Sequence, residues 1–112
     1  MSEPVDLQGL VRAINRALIL AMVIDGPKHG YQIAVEVEAS TGGMFAFQHG
    51  TLYPILHRLE KERLIAGRWE TAEGRRRKVY TLTGRGEEWL ATESRRIGSI
   101  FDTLRGVLEV AE

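Results

Sequence analysis

Apolar residues recur with helical spacing in the first half of the chain. Between Leu7 and Ile24 they return every three or four positions, as Leu7, Leu10 with Val11, Ile14, Leu18 and Ala21. This spacing predicts an amphipathic helix, and the Asp-Gly-Pro sequence at 25–27 supplies a stop signal. A second helix is predicted from Tyr31 to Ser40, where a Thr-Gly-Gly sequence follows.

The third periodic segment predicts a helix from Gln48 to Leu64. One side carries Leu52, Ile55, Leu56 and Leu59 and is expected to face the core. At about 100° per residue the other side begins at Gly50 and presents groups that can hydrogen-bond bases or phosphates. These groups are Thr51, Tyr53, His57, Arg58 and Lys61. The alternative is an ordinary solvated helix face.

Two short strands and a long helix are predicted to follow. The strands run over Ile65–Glu70 and Lys78–Leu82, and residues 71–77 form the tip of their hairpin. Thr83 is a candidate N-cap for a final helix from Gly84 to Val110. In that helix Leu90, Ile97, Leu104 and Ala111 repeat at seven, with Ser94, Phe101 and Leu108 between them. This repeat is typical of a heptad seam.

The order of these elements predicts a mainly α fold with a two-stranded wing. The expected architecture is a winged helix-turn-helix over residues 1–83, followed by a dimerisation helix over 84–112, in one compact unit. In winged helices one helix enters the DNA major groove while neighbouring elements contact phosphates. A length of 112 residues fits a single domain.

Composition excludes several classes of function. The chain has no cysteine, which excludes disulfides, thiolate zinc sites and cysteine nucleophiles. Its histidines, His29, His49 and His57, show no metal-binding spacing, and no catalytic or nucleotide-binding motif is present. The longest apolar run, at residues 17–24, is too short to span a membrane. We therefore expect a cytoplasmic protein that is not an enzyme, with no cofactor, no metal and no membrane contact.

The balanced charge of the whole chain hides a basic region. The chain has 15 basic and 15 acidic residues, but residues 49–86 contain nine basic against four acidic ones, a net charge of +5. Arg75, Arg76, Arg77 and Lys78 are adjacent at the predicted hairpin tip. Such a cluster often marks a polyanion-binding surface, although a merely solvated turn is the alternative.

The final helix is long for so short a chain. Its heptad seam could pack on its own first helix or on a second subunit, and we favour a homodimer. The residues expected at that interface are Leu10, Ile14, Leu90, Ile97, Phe101, Leu104 and Leu108. Trp89 is either a core residue or, if the dimer encloses a cavity, a contact for a small aromatic effector.

Three sequence blocks resemble the PadR family of bacterial transcriptional regulators. They are residues 27–33 (PKHGYQI), residues 50–60 (GTLYPILHRLE) and residues 75–83 (RRRKVYTLT). They occur in the order of the family and cover roughly residues 10 to 90. The single C-terminal helix is similar to that of the smaller subfamily. One departure is the pair Gln48 and His49, where family members often have a good N-cap such as Ser or Asn.

The resemblance implies a dimeric repressor that binds a pseudo-palindromic DNA operator and is often released by a small aromatic ligand. Gly50, Thr51 and Tyr53 would begin the recognition helix, Tyr31 would contact the DNA backbone, and the basic run would form the wing. The full set expected to contact DNA is Tyr31, Gln32, His49, Gly50, Thr51, Tyr53, His57, Arg58, Lys61, Arg75, Arg76, Arg77 and Lys78. The alternatives are a protein-interaction module or a small-molecule-binding protein without an operator.

Overall fold

The computed structural model describes residues 3–110, and its elements follow the predicted order with one addition. The helices are α1 (Leu7–Ala21), α2 (Gly30–Ser40), α3 (His49–Lys61) and α4 (Gly84–Val110). The strands are β1 (Lys28–His29), β2 (Ile65–Ala72) and β3 (Arg75–Leu82). They form an antiparallel sheet in the order β1-β3-β2. The predicted mainly α fold with a wing is confirmed. Ala111, the last position of the heptad seam, lies outside the described residues.

The core lies where α1, α2 and α3 meet the inner end of the sheet. Its most deeply buried side chains include Ile19, Leu20, Ile33, Leu52, Leu56, Leu59, Ile65 and Tyr80. The core-facing side predicted for the third helix is confirmed at Leu52, Leu56 and Leu59, whereas Ile55 is only partly buried. On α1 the buried positions are Leu10, Ala13, Ile19 and Leu20, while Leu7 and Val11 are exposed. The apolar stripe predicted for α1 is therefore offset from the face that fills the core.

Two helix ends differ from the prediction. α1 ends at Ala21, because the next residues form tighter turns in which Met22 and Val23 donate to carbonyls three residues back. α3 ends at Lys61, and Arg63 takes a left-handed conformation with φ of 64°. The N–H of Leu64 then donates to the carbonyl of Leu59, which closes the helix and turns Leu64 into the core.

The wing differs most from the prediction. Its strands extend to Ala72 and from Arg75, and a two-residue turn of Glu73 and Gly74 joins them. Both turn residues have positive φ, 53° and 75°, which suits the right-handed twist of a hairpin. The prediction that Arg75, Arg76 and Arg77 lie in the hairpin tip is therefore wrong. Because strand side chains alternate between faces, Arg75 and Arg77 point to one side and Arg76 to the other.

The long helix α4 begins at the predicted cap. Thr83 Oγ1 accepts a hydrogen bond of 2.9 Å from the N–H of Gly86, and its hydroxyl donates to the carbonyl of Arg63 at 2.6 Å, with that of Leu64 at 3.0 Å. The first part of α4 packs against α1, whereas residues 101–110 are exposed throughout. α4 therefore projects from a molecule that is 58 Å long and 28 Å wide. Within residues 3–110, no helix is both long and apolar enough to cross a membrane.

Candidate nucleic-acid interface

A cleft of about 620 Å³ separates the outer face of α3 from the wing. Its walls contain the predicted residues Tyr31, Tyr53 and His57 together with the basic run Arg75–Lys78. Four further residues in the walls were not predicted as contacts, namely His29, Gly30, Trp69 and Tyr80. The predicted residues Gln32, His49, Gly50, Thr51, Arg58 and Lys61 lie outside the cleft walls, and all are exposed.

The first turn of α3 is open on its outer side. Gln48 precedes the helix, and its side chain makes no capping hydrogen bond, as its departure from the family pattern suggested. A methyl group added at Gly50 would have no neighbouring atom within 4 Å in this protomer. The rings of His49 and Tyr53 lie 5.7 Å apart. This turn therefore presents polar and aromatic groups with nothing in the protomer covering Gly50.

Tyr53 is held between the two helices of the helix-turn-helix. A Cβ atom at Gly30 would lie 3.0 Å from Cε1 and 3.1 Å from the hydroxyl oxygen of Tyr53. The missing side chain at Gly30 thus makes room for the tyrosine ring at the start of α2. Tyr53 is half-buried and packs against the core, so it has a structural role that its sequence position did not indicate.

The start of α2 carries a capping box. The backbone N–H of Gln32 points at His29 Nδ1 over 3.4 Å, and Gln32 Oε1 accepts from the backbone N–H of His29 at 3.1 Å. The amide oxygen of Gln32 is therefore used within the protein, and its NH₂ group remains to face outward. Tyr31, which precedes Gln32, is exposed in the wall of the cleft.

The four cations of the basic run have different surroundings. The guanidinium of Arg76 lies 4.8 Å from the centre of the Trp69 ring. Arg77 Nη1 lies 3.0 Å from His29 Nε2. Lys78 Nζ forms an ion pair of 2.7 Å with Glu60 on α3, and Arg75 is exposed near the turn. Positive charge is therefore concentrated on the three arginines, since Glu60 neutralises Lys78.

Two titratable groups in the cleft walls have shifted pKa values. Burial lowers the pKa of His29 below its usual value, and the positive charge of Arg77 lowers it further. His29 is consequently neutral at pH 7. Burial raises the pKa of Tyr80, and the carboxylate of Glu60 and the phenol of Tyr53 add to that rise. Tyr80 therefore keeps its proton at neutral pH.

A second surface, the α1–α4 groove, is apolar. It has a volume of about 320 Å³ and is lined by Ile14, Ala17, Leu18, Ala21, Leu90, Ser94, Ile97 and Gly98. The stripe predicted from the spacing of the first helix thus contributes three residues to this groove. Farther along α4, Phe101, Leu104, Val107 and Leu108 are exposed.

The residues predicted for a dimer interface divide into three groups. Leu10 and Leu90 are buried in the protomer, at 9% and 8% exposure, and offer little further surface. Ile14 and Ile97 line the α1–α4 groove. Phe101, Leu104 and Leu108 lie on the projecting part of α4. Sequence reasoning omitted Leu7 and Val11, whose exposure on α1 becomes evident only once the core is known.

Trp89 is partly buried and does not line the α1–α4 groove. Its ring contacts Arg16 on α1 instead. The guanidinium of Arg16 lies 5.1 Å from the centre of its ring, and Arg16 Nη2 lies 2.8 Å from Glu62 Oε1 at the end of α3. Trp89 also packs against the core.

Among the described residues, no group of three His, Cys, Asp or Glu side chains is arranged to hold a metal ion.

Comparison with known proteins identifies the family. Residues 19–92 match the model of the transcriptional regulator PadR-like family. The chain belongs to this family. A transcriptional regulator of Mycobacterium tuberculosis is 40% identical over 85 residues, which cover 76% of each chain. The predicted family is thereby confirmed, and so is the prediction that the protein is a regulator of transcription and not an enzyme.

Solved structures share the fold. A Streptococcus mutans protein is 31% identical, covers 97% of this chain and 94% of its own, and superposes with a TM-score of 0.77. A PadR family transcriptional regulator from Eggerthella lenta is 27% identical with a TM-score of 0.76, and the match covers 92% of this chain and 88% of that one. Both matches cover a larger share of the chain than residues 19–92, which the family model spans.

Proposed function

We propose that this PadR-like regulator binds a pseudo-palindromic DNA operator as a homodimer and represses transcription by occupying it. The observation that carries the proposal is the cleft between α3 and the wing. Its walls combine the outward side chains of a helix with three arginines on an adjacent strand. Helix side chains that reach base edges and cations that reach phosphates are the two classes of contact that specific DNA binding needs.

In the proposed complex, α3 lies in the major groove and the wing follows the flanking backbone. Thr51, Tyr53 and His57 carry donors and acceptors suited to base edges. Arg75 and Arg76 are exposed and suited to phosphates. Each phosphate contact releases condensed counterions, so the affinity should fall steeply as salt concentration rises. The basic run distinguishes this proposal from a protein-interaction module, which has no need of three adjacent arginines.

A second copy of the chain is the proposed occupant of the apolar surface on α1 and α4. Beyond the residues that line the groove, α1 and α4 carry further exposed apolar side chains, and a single protomer would leave them in water. They are Leu7, Val11, Phe101, Leu104 and Leu108. A two-fold arrangement would pair the projecting α4 of one protomer with the groove of the other. It would also present two α3 helices to half-sites about one turn of DNA apart.

A small aromatic effector is proposed to act at this same dimer interface. A ligand changes DNA affinity only when it binds the two dimer geometries differently. An apolar groove between α1 and α4 offers such a position. Trp89 lies outside the lining of this groove, with its ring against Arg16. As a regulator that acts on bacterial DNA, the protein is proposed to work in the cytoplasm.

The proposal is tested by footprinting DNA from immediately upstream of the protein's own gene over a series of salt concentrations. The expected result is a protected, two-fold-symmetric site and an affinity that decreases steeply with salt. A variant with Arg75 and Arg76 both changed to Ala serves as the control and should lose affinity together with salt dependence. Weak binding whose affinity depends on neither DNA sequence nor salt concentration would instead favour a role in sequestering a small molecule or binding another protein.

A further inference from the structure

His29 faces two hydrogen-bond donors at once. On one side of the ring, the backbone N–H of Gln32 points at Nδ1 over 3.4 Å. On the other side, Arg77 Nη1 lies 3.0 Å from Nε2. A guanidinium carries only donors, and so does a backbone N–H. The ring therefore has two partners that both require a lone pair.

A neutral imidazole has a single lone pair and a single N–H. It satisfies either the α2 cap or Arg77, and the other contact then brings two N–H groups together. Protonation would worsen both contacts, because the imidazolium has no lone pair. The lowered pKa of His29 keeps the ring neutral, so the conflict remains in the free protein. The shorter contact, to Arg77, selects the tautomer with its proton on Nδ1 and leaves the cap unsatisfied.

A phosphate group would remove this conflict. Its oxygens accept from Arg77, which releases the Nε2 side of the ring. The imidazole proton then transfers through solvent from Nδ1 to Nε2, with no net gain or loss of protons. In that tautomer Nε2–H donates to the same phosphate, and the free lone pair on Nδ1 caps α2. Every donor then has an acceptor.

On the basis of the proposed DNA-binding function, we infer that His29 and Arg77 together clamp one backbone phosphate of the DNA. The two nitrogens are close enough to contact two oxygens of a single phosphate group, since they lie 3.0 Å apart. They belong to different elements, because His29 ends β1 and Arg77 is in β3. The clamp therefore ties a wing residue and the cap residue of α2 to the same phosphate when DNA binds. His29 was not among the residues that the sequence predicted to contact DNA.

The carboxylates near the clamp are already paired, so they do not compete with a phosphate for Arg77. Lys28, next to His29, is paired with Glu36 at 2.9 Å. Lys78, next to Arg77, is paired with Glu60. Glu70, the cross-strand neighbour of Arg77 on β2, is paired with Arg68 at 2.8 Å. The three nearby carboxylates are thus engaged by other cations, and the cation of Arg77 faces a neutral ring.

The first test compares His29→Asn with Arg77→Gln on a 20-bp duplex over a salt series at pH 7.5. Asparagine retains a capping oxygen but lacks the distal nitrogen. His29→Asn should therefore weaken binding about tenfold, as expected for a lost hydrogen bond to a charged group, without changing the salt slope. Arg77→Gln should weaken binding and also reduce the slope by about 0.9. The double variant should lose less than the two separate losses combined, because one phosphate is shared.

The second test uses the unaltered protein and a readout that a purely structural histidine would not change. Nitrogen NMR of protein labelled in its histidines reports which ring nitrogen carries the proton. The His29 signal is assigned by its absence from His29→Asn. The proton should be on Nδ1 in the free protein and on Nε2 in the complex.

The outcomes separate this inference from the proposed function. If the unaltered protein binds no DNA, both are overturned. If it binds with a steep salt slope, but His29→Asn binds equally well or the His29 tautomer stays the same, only the clamp is overturned. A melting temperature of His29→Asn close to that of the unaltered protein excludes misfolding as the cause of weaker binding. Should that variant fail to fold, the His29 signal is assigned by elimination with His49→Gln and His57→Gln, since the chain has three histidines, and the NMR result on the unaltered protein decides.

Discussion

The carboxylate of Glu60 on α3 lies 2.7 Å from the ammonium group of Lys78 on the wing, so the fourth cation of the basic run binds the protein itself. Gly67 on β2 leaves room for the pair, since a Cβ there would lie 2.6 Å from Lys78 Cε and 3.0 Å from Glu60 Oε2. Both side chains are more than two thirds buried. The pair therefore joins the wing to the proposed recognition helix.

Lys78 is accordingly predicted to contribute little to the salt dependence of DNA binding. Changing Lys78→Met together with Glu60→Gln removes the pair without leaving a lone charge. The double variant should keep the wild-type salt slope and lose about 1 kcal/mol of stability or less. Arg75→Met, its matched comparison, should reduce the slope by about 0.9. Equal reductions in the two proteins, measured by fluorescence anisotropy with labelled DNA, would contradict the assignment of Lys78 to Glu60.

Gly86 is predicted to be indispensable for stability. A Cβ atom at this position would lie 2.0 Å from the carbonyl oxygen of Leu64, which is backbone and cannot move aside freely. Gly86→Ala should therefore destabilise the fold by about 3 kcal/mol through overpacking. Gly84→Ala is the control in the same helical turn, because no atom lies within 4 Å of its Cβ position. Urea denaturation measures both, and similar midpoints for the two variants would refute the close packing of α4 on Leu64.

Much of the fold could be predicted because its helices carry strong local signals. Gly42, just after the end of α2, has a positive φ. Glycine is the residue expected where a left-handed conformation ends a helix. The end of α3 has the same geometry at Arg63, which gives no such signal, and the helix was predicted three residues too long. β1 has only two residues, so it has no periodicity, and it exists because β3 pairs with it. The outer ends of the wing strands are exposed on both faces and so lack the alternation that predicts a strand.

The sequence predicts those parts of the candidate site in which a residue type by itself indicates the chemistry. It misses the parts that depend on contact with a partner residue. The tyrosine at 53 and the arginines at 75–77 were recognised from their own chemistry and position. The pairing of Lys78 depends on Glu60, which is distant in sequence and is brought close only by the fold. His29 was missed because histidine is not a typical N-cap residue. The glutamine three residues later, which completes the capping box, was the signal that could have revealed it.

Tyr53 is predicted to contribute to operator recognition through its hydroxyl group and to folding through its ring. Tyr53→Phe preserves the packing against Gly30 and should lower operator affinity more than affinity for unrelated DNA. Tyr53→Ala should additionally lower the melting temperature, since the ring packs against the core. Gel-shift titrations on operator and unrelated duplexes, with thermal melting of each protein, distinguish the two roles. If Tyr53→Phe binds both DNAs like the unaltered protein, the hydroxyl group does not read the operator.

The oligomeric state is predicted to depend on the exposed apolar side of α4. Leu104→Glu places a charge on the side that carries Phe101, Leu104 and Leu108, whereas Ser99→Glu places the same charge on the opposite side of the helix. Burial of an unpaired carboxylate is costly, so Leu104→Glu should convert a dimer into a monomer at micromolar concentration. The monomer should retain the helical content of the unaltered protein but lose at least about 100-fold in operator affinity, because only one half-site is then held at a time. Light scattering coupled to size-exclusion chromatography measures the mass, and Ser99→Glu should remain dimeric. A monomeric unaltered protein, or a dimeric Leu104→Glu, would show that this side of α4 does not hold two copies together.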